Sequence, residues 1–253
     1  PRRIRKDGLE DLKALAPDLC VTAAFGQILS QEILDIPRLG TINVHASLLP
    51  RHRGSAPIAW GILQGDKQAG ITTMFTDKGI DTGDMLLRSA VDILPGETCG
   101  ELTARLSKLG AQVLTDTLNA LEAGALTRVP QDESAMTYDP MLTKEMGFID
   151  WSASAADIVN RIHGLNPWPG AVVVAPEGTI KLWRAEVVSG SGQPGEVLAA
   201  SPKEGLVLAA GKDAVRVLQL QAPGGKQMPA ADYLRGHPAQ VGSVWHAPVP
   251  TEA

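Results

Sequence analysis

The stretch Thr41-Ile-Asn-Val-His-Ala-Ser-Leu-Leu-Pro-Arg-His-Arg-Gly54 combines a predicted strand with a group of polar residues. Its first six residues predict a short strand, on which Asn43 and His45 are two apart and therefore point to the same face. The strand leads into Ser-Leu-Leu-Pro, so both side chains lie near its carboxyl end, where open α/β sheets bind their ligands. The stretch therefore predicts an α/β fold with a site at this edge of the sheet.

The sequence around this stretch alternates helix-like and strand-like segments. The apolar patterns predict helices over residues 7–16, 31–36, 56–64 and 101–122, and strands over residues 19–25, 41–46, 71–76 and 85–93. The last of these helices repeats leucine at helical spacing, and Gly124 is placed to end it. Alternating units of this kind favour an open, mostly parallel α/β sheet.

The pattern changes after Gly124. Residues 125–147 are polar and non-periodic, which favours a linker. A helix is predicted from Ser154, whose spacing to Asp157 resembles a capping box, to Leu165. The later patterns predict five short strands, over residues 171–175, 180–188, 195–199, 206–210 and 214–221. One helix followed by five strands predicts a small closed β barrel, for which the OB-fold is the commonest solution.

These patterns divide the chain into three parts. We predict an α/β catalytic domain over residues 1–124, a linker over 125–147 and an OB-like domain over 148–253.

Composition and charge exclude several classes of protein. The chain of 253 residues is long enough for two domains, and its 44% hydrophobic and 20% charged residues are typical of globular proteins. A net charge of −5 gives no overall attraction for nucleic acid, so a polyanion needs a local basic patch. Two distant cysteines exclude a disulfide framework. We expect a cytoplasmic protein whose partners include neither a membrane nor DNA.

Asn43 and His45, with a carboxylate, could form a site for group transfer. A carboxamide donor beside an imidazole can stabilise an oxyanion while a proton is moved. Asp77, Asp81 and Asp84 lie in the turn-rich loop that follows, and each is a candidate for the carboxylate that orients and charges the imidazole. From the residues alone, an Asn-x-His pair on a strand is more often a hydrogen-bonded edge pair than a catalytic pair.

Three other interpretations fail because the required neighbours are missing. Ser47 with His45 and Asp81 resembles a hydrolase triad, but no G-x-S-x-G elbow surrounds the serine. His45 and His52 lack a third zinc ligand at a suitable spacing, so no metal site is predicted. The segment Gly224-Gly-Lys226 lacks the frame of a phosphate-binding loop.

Four segments resemble signatures of the formyltransferases that use 10-formyltetrahydrofolate. Residues 43–57 and 77–85 resemble the two catalytic signatures, and Ile149-Asp-Trp151 with Leu165-Asn-Pro-Trp-Pro-Gly170 resembles the start of the family's OB-like domain. Residues 218–236, with Pro-Gly-Gly-Lys-Gln-Met and Asp-Tyr-Leu-Arg-Gly, are typical of members that formylate a tRNA. The segments occur in the family's order and cover most of the chain.

The resemblance implies transfer of a formyl group from 10-formyltetrahydrofolate to the α-amine of an initiator methionyl-tRNA, for translation initiation. By the same resemblance Asn43, His45 and Asp81 are catalytic, whereas Ser47, Leu48, Leu49 and Pro50 border the folate. Asn43 and a protonated His45 would bind the oxyanion, and Asp81 would help to move the proton, without a metal or a covalent intermediate. Arg51, Arg53 and Lys144 are the basic residues that we name as candidate tRNA contacts.

Two other classes of protein are alternatives to this interpretation. A formyltransferase acting on a small amine, such as glycinamide ribonucleotide or an amino-sugar nucleotide, would share the same three residues. A silent folate- or RNA-binding module would not need them.

The first predicted strand starts near residue 19, so we expect that the family's first strand-helix-strand region is missing and that the catalytic domain is truncated.

Overall fold

The computed structural model describes residues 4–176 and 178–249. The helices are α1 (Ile4–Asp7), α2 (Leu9–Leu15), α3 (Gln31–Leu34), α4 (Pro57–Leu63), α5 (Cys99–Glu122), α6 (Ala155–Gly164) and α7 (Ala230–Gly236). The strands are β1 (Cys20–Ala23), β2 (Thr41–His45), β3 (Arg53–Gly54), β4 (Gln68–Phe75), β5 (Met85–Asp92), β6 (Tyr138–Asp139), β7 (Ala171–Ala175), β8 (Gly178–Val188), β9 (Val197–Ser201), β10 (Gly205–Ala209), β11 (Ala214–Gln221) and β12 (Met228–Pro229). Two short 3-10 helices cover Glu133–Ala135 and Glu145–Gly147.

The described chain folds into two compact units. The first contains the chain up to Ile58 together with Gln68–Asp92 and Thr103–Met141. The second contains Ala59–Lys67, Ile93–Leu102 and the chain from Leu142 onward. In neither described range is a helix long and apolar enough to cross a membrane.

The first unit is built on a four-stranded sheet in the order β1-β2-β4-β5. The predicted α/β class is confirmed, but the expectation of mostly parallel pairing needs correction. Only β1 and β2 are parallel among the described strands of this sheet, whereas β2 pairs with β4, and β4 with β5, in antiparallel fashion. The connection from Phe75 to Met85 is too short for a crossover, so β4 and β5 form a hairpin.

Helix α5 covers one face of this sheet. A side chain at Gly110 would approach Val44 to 3.3 Å, and the buried hydroxyl groups of Thr73 and Thr117 are 2.8 Å apart. Val44 thus faces α5, and its neighbours Asn43 and His45 point to the other face of β2. The leucine pattern predicted this helix to within two residues at its start.

The segment predicted as a linker contributes to the first unit as far as Met141. Strand β6 pairs in parallel with β3, and Val129 exchanges two backbone hydrogen bonds of 2.9 Å with Met85. Short pairings of this kind produce no periodic pattern, which is why the sequence indicated a free linker. The limits of the domains at residues 124 and 148 remain predictions.

The second unit contains an antiparallel sheet in the order β7-β8-β11-β10-β9, with β12 beside β11. Residues 244–246 join its two edges, since His246 bridges Val174 on β7 and Val244 bridges Glu196 next to β9. The sheet therefore closes on itself, as predicted for this part of the chain. Its interior is apolar and includes Ile158, Ile162, Leu182, Val215, Tyr233 and Trp245.

Two helices pack with this sheet. Helix α6 begins as predicted, because the amide of Asp157 donates to the hydroxyl of Ser154 at 3.2 Å. Helix α7 contributes Tyr233 and Leu234 to the core. The sequence did not predict α7, whose seven residues are too few for a clear helical repeat.

Candidate active site

Asn43 lies on β2 with both ends of its amide engaged. Its Oδ1 accepts a hydrogen bond of 3.0 Å from the hydroxyl of Thr22 on the neighbouring strand β1. This contact turns Nδ2 toward Asp81, to whose Oδ1 it donates at 3.4 Å. An amide nitrogen carries two hydrogens, so one N–H of Asn43 remains for a ligand.

His45 is buried and lies between two acceptors. Its Nε2 is 2.8 Å from the backbone oxygen of His52, and its Nδ1 is 3.6 Å from Oδ2 of Asp81. A backbone carbonyl can only accept, so Nε2 carries a hydrogen in this contact. The Nδ1 side is the one that faces Asp81 without a direct hydrogen bond.

Asp81 is held in an unusual backbone conformation. Its φ of +55° lies in the left-handed region, which is costly for a residue with a side chain. Its Oδ2 accepts a hydrogen bond of 2.8 Å from the amide of Gly54, and Gln131 donates to its backbone oxygen at 2.8 Å. Of the three candidate aspartates, Asp81 lies beside His45, whereas Asp77 accepts from Gly79 and Thr82 within its own loop.

The predicted folate-bordering loop is anchored through its backbone and its serine. Ser47 is buried and donates its hydroxyl to the backbone oxygen of Arg51 at 2.7 Å. Leu49 is fully buried, and its amide donates to Thr72 at 3.2 Å. Leu48 and Pro50 are half-buried. Ser47 and Leu49 therefore fix the loop, whereas Leu48 and Pro50 retain surface that a ligand could contact.

The three predicted tRNA contacts differ in exposure and in the unit to which they belong. Arg51 and Lys144 are exposed, and Lys144 belongs to the second unit. Arg53 is only 2% exposed. Its guanidinium donates to Gln131 at 3.0 Å and to both carboxylate oxygens of Glu133 at 3.1 and 2.7 Å. A guanidinium committed in this way does not reach a phosphate, so Arg53 is set aside as an RNA contact.

Several residues of the site were not singled out from the sequence. Asp139 accepts from Nδ1 of His52 at 2.8 Å, and Thr137 accepts from the His52 amide at 2.7 Å. Both partners lie in the segment predicted as a linker, where nothing in one sequence indicates that they face residues 52–54. Within residues 4–176 and 178–249 no group of three or more His, Cys, Asp or Glu is placed to hold a metal ion.

Two family models match the chain. One, described as formyl transferase, matches residues 2–118, and the other, described as the carboxyl-terminal domain of formyl transferase, matches residues 141–238. The methionyl-tRNA formyltransferase of Geobacter sulfurreducens is 44% identical over 244 residues, which cover 96% of this chain and 77% of that protein. The enzyme of the same name from Caldanaerobacter subterraneus is 46% identical over 238 residues, covering 93% and 76%.

Solved structures give the same fold at lower identity. HypX from Aquifex aeolicus, crystallised with tetrahydrofolic acid, matches with a TM-score of 0.66 and 20% identity, over 88% of this chain and 40% of HypX. The sugar 3N-formyl transferase WlaRD matches with a TM-score of 0.63 and 15% identity, over 81% and 75%. Identity at this level shows a shared fold alone.

Proposed function

The chain belongs to the formyltransferase family, and we propose that it transfers the formyl group of 10-formyltetrahydrofolate to the α-amine of methionyl initiator tRNA. The relatives that support this acceptor are methionyl-tRNA formyltransferases, 44% identical over 96% of the chain. The observation that carries the chemistry is the grouping of Asn43, His45 and Asp81 at the end of β2.

The residues at this edge of the sheet fit a folate carrying a formyl group. The parallel strands β1 and β2 end at the same edge, so Phe25, which follows β1, lies at the edge where His45 ends β2. Phe25 is 39% exposed, and Leu48 and Pro50 are half-buried, which gives an apolar surface for a flat ring. The remaining N–H of Asn43 supplies a polar donor for the formyl oxygen.

The three polar residues divide the chemistry between them. An α-amine titrates near pH ~8, so a useful fraction is neutral and can attack the formyl carbon at neutral pH. A C–N bond forms to the amine, and the carbonyl oxygen becomes an oxyanion. Asn43 and the Nδ1 side of His45 donate hydrogen bonds to that oxygen, which lowers the barrier by about 3 kcal/mol for each well-placed donor.

Asp81 handles the proton. The attacking nitrogen gains a positive charge and must lose a proton before the tetrahedral species collapses. Asp81 accepts this proton, either directly or by way of His45, whose Nδ1 lies 3.6 Å from the Asp81 carboxylate. Asp81 then returns the proton to the folate nitrogen as the second C–N bond breaks. Atoms and charge balance, since one proton moves from the amine to the departing nitrogen.

The same function gives roles to the rest of the chain. We propose that the closed sheet of the second unit is an OB-like domain that contacts the tRNA, as OB-folds bind nucleic acids on one face of the barrel. Arg51, exposed beside the folate-bordering loop, is the candidate contact in the first unit. Translation initiation in the cytoplasm is the setting that this activity implies.

A direct assay tests the proposal. Radiolabelled 10-formyltetrahydrofolate is offered with methionyl initiator tRNA, with the same tRNA uncharged, with glycinamide ribonucleotide or with an amino-sugar nucleotide. We expect label only on the charged tRNA, and an initial rate of labelling at least about a hundredfold lower when His45 is replaced by alanine. Label on either small amine would instead assign the small-molecule activity, and label on none would leave a binding module.

A further inference from the structure

The loop that carries Asp81 depends on a contact from outside the loop. Gln131 donates from one amide nitrogen to two backbone oxygens, those of Asp81 and Gly83, at 2.8 Å each. These bonds hold the chain at the point where Asp81 takes its left-handed φ of +55°. A conformation of this cost persists only where the surroundings fix it.

The orientation of Gln131 is itself fixed by the buried Arg53. The Nε of Arg53 donates to Oε1 of Gln131 at 3.0 Å. Because a guanidinium only donates, a reversed amide would bring N–H groups against N–H groups. Arg53 therefore selects the amide orientation in which Nε2 faces the Asp81 loop.

Glu133 completes this arrangement. Its two carboxylate oxygens accept from both terminal nitrogens of Arg53, a paired geometry that balances the charge of the buried guanidinium. The residue after Arg53 contributes as well, since the amide of Gly54 donates to Oδ2 of Asp81 at 2.8 Å. Gly54 thus fixes the Asp81 carboxylate, and Gln131 fixes the backbone that carries it.

We propose that Gln131 is a positioning residue for the formyl-transfer step, acting through Asp81, and that Glu133 and Arg53 hold it in place. The proposal rests on the proposed function, because it assigns Gln131 to the proton handling of that same site. Gln131 itself touches none of the reacting groups. Its effect is to keep the Asp81 carboxylate within 3.6 Å of His45 Nδ1.

The substitution Gln131→Glu separates donation from packing. A glutamate keeps an oxygen for Arg53 and nearly the same volume, but it cannot donate to the oxygens of Asp81 and Gly83. We expect kcat to fall by at least about tenfold, because a displacement of a reacting group near 1 Å can lower the rate by more than tenfold. The KM values for folate and for tRNA should stay within about threefold, because Gln131 does not contact the substrates. Gln64→Glu, on an exposed side chain, adds the same charge and serves as the matched control.

A double substitution tests whether Gln131 acts through Asp81. With Asp81→Ala in place, Gln131→Glu should cause no further loss of kcat. A further loss as large as in the natural background would overturn the proposal. Gln131→Met, which has similar length and no polar hydrogens, gives the same test if the glutamate variant does not fold.

Amide hydrogen exchange gives a measurement that does not need activity. The Gly54 amide is protected by Asp81, whereas the amides of Arg53 and Ser55 donate to the backbone of residues 137 and 139. In Gln131→Glu we expect faster exchange at Gly54 and unchanged exchange at its two neighbours. Unchanged exchange at Gly54 overturns the proposal even if activity falls. Absence of formyl transfer by the natural sequence would instead overturn the proposed function, and exchange at Gly54 would then test only whether Gln131 fixes the Asp81 loop.

Discussion

Nδ1 of His52 lies 2.8 Å from a carboxylate oxygen of Asp139, and both side chains are almost fully buried. The backbone oxygen of the same His52 accepts from His45, a candidate catalytic residue. The position of His45 therefore depends on a contact between residues 87 positions apart in the chain. Stability and chemistry are linked at this pair.

Replacing Asp139 by alanine should lower both stability and activity. The substitution leaves the buried ring of His52 without its acceptor, which costs about 1–3 kcal/mol. We expect the thermal midpoint to fall by several degrees and kcat to fall with it. Asp139→Asn, which keeps an acceptor oxygen, should retain most of the stability. Equal melting of the alanine variant and the natural chain would show that the pair contributes little.

Gly54→Ala should be more damaging than its size suggests. Gly54 has a φ of +101°, and an added Cβ would lie 2.5 Å from the backbone oxygen of Asp139 and 2.9 Å from the ring of Tyr138. Either β3 separates from β6 or the chain strains, at a cost of about 2–4 kcal/mol. Chemical denaturation measures the loss, with Gly26→Ala as the control, since a Cβ there meets no atom within 4 Å.

Alanine at Asn43, His45 or Asp81 should each reduce kcat at least about a hundredfold, the usual cost of one oxyanion donor or one proton carrier. Each variant should keep its far-ultraviolet dichroism, because these side chains lie outside the apolar core. Single-turnover rates with saturating folate isolate the chemical step. A His45→Ala variant with half the natural turnover would refute the mechanism.

Acid should destabilise the second unit through His163. Burial, with the nearby Arg184 guanidinium, lowers the pKa of His163 from 6.5 to about 4, and its Nε2 accepts from the Ala185 amide. The unfolded chain therefore binds a proton between pH 6.5 and 4 that the folded chain does not. Stability from this group is complete above pH 6.5 and is lost as the pH falls toward 4, by roughly 3 kcal/mol in total.

The variant His163→Gln isolates that effect, because glutamine can accept from the same amide and does not titrate. Urea unfolding at pH 7.5 and 4.5 should show a steeper loss for the natural chain than for the variant. Parallel losses would mean that His163 contributes nothing to acid sensitivity and that carboxylates such as Glu101, whose pKa is lowered mainly by the Thr98 amide, account for it.

Arg51→Ala should weaken binding of the tRNA without changing the chemistry of bound substrate. An exposed arginine that contacts a phosphate contributes affinity that falls with salt. We expect KM for tRNA to rise several-fold and the slope of log K against log salt to drop by about one. Lys144→Ala is the equivalent test in the second unit, and Lys108→Ala, exposed on α5, is the control. Equal behaviour of all three variants would remove Arg51 and Lys144 as contacts.

The elements with a clear apolar pattern could be predicted from the sequence. Strand β2 and helix α5 agree with their predictions to within two residues. Asn43 and His45 were placed correctly on one face because a strand has a period of two. Among the three aspartates, the sequence indicated Asp81 only through the family resemblance. In the structure, the left-handed backbone conformation at Asp81 accompanies the placement of its carboxylate 3.6 Å from His45, and no local sequence pattern predicts this.

The contacts around Arg53 could not be predicted in this way. A basic residue in a polar stretch suggests an exposed charge, but Arg53 is buried because Gln131 and Glu133, 78 and 80 positions away in the chain, accept hydrogen bonds from its guanidinium. Strand β6 has two residues, too few for any period. Such contacts depend on the folded path of the chain and not on local preference.

The bridge between Val174 and His246 closes one edge of the sheet in the second unit, and the bridge between Glu196 and Val244 closes the other. The segment that makes both bridges follows every strand of the sheet in the chain, so the seam that it makes can form only after β7 to β12 have been synthesised. Until it forms, β7 and β9 both expose hydrogen-bonding groups that another unfinished chain could pair with. During biosynthesis, the period of greatest risk for self-association is therefore the interval before residues 244–246 emerge and seal the seam.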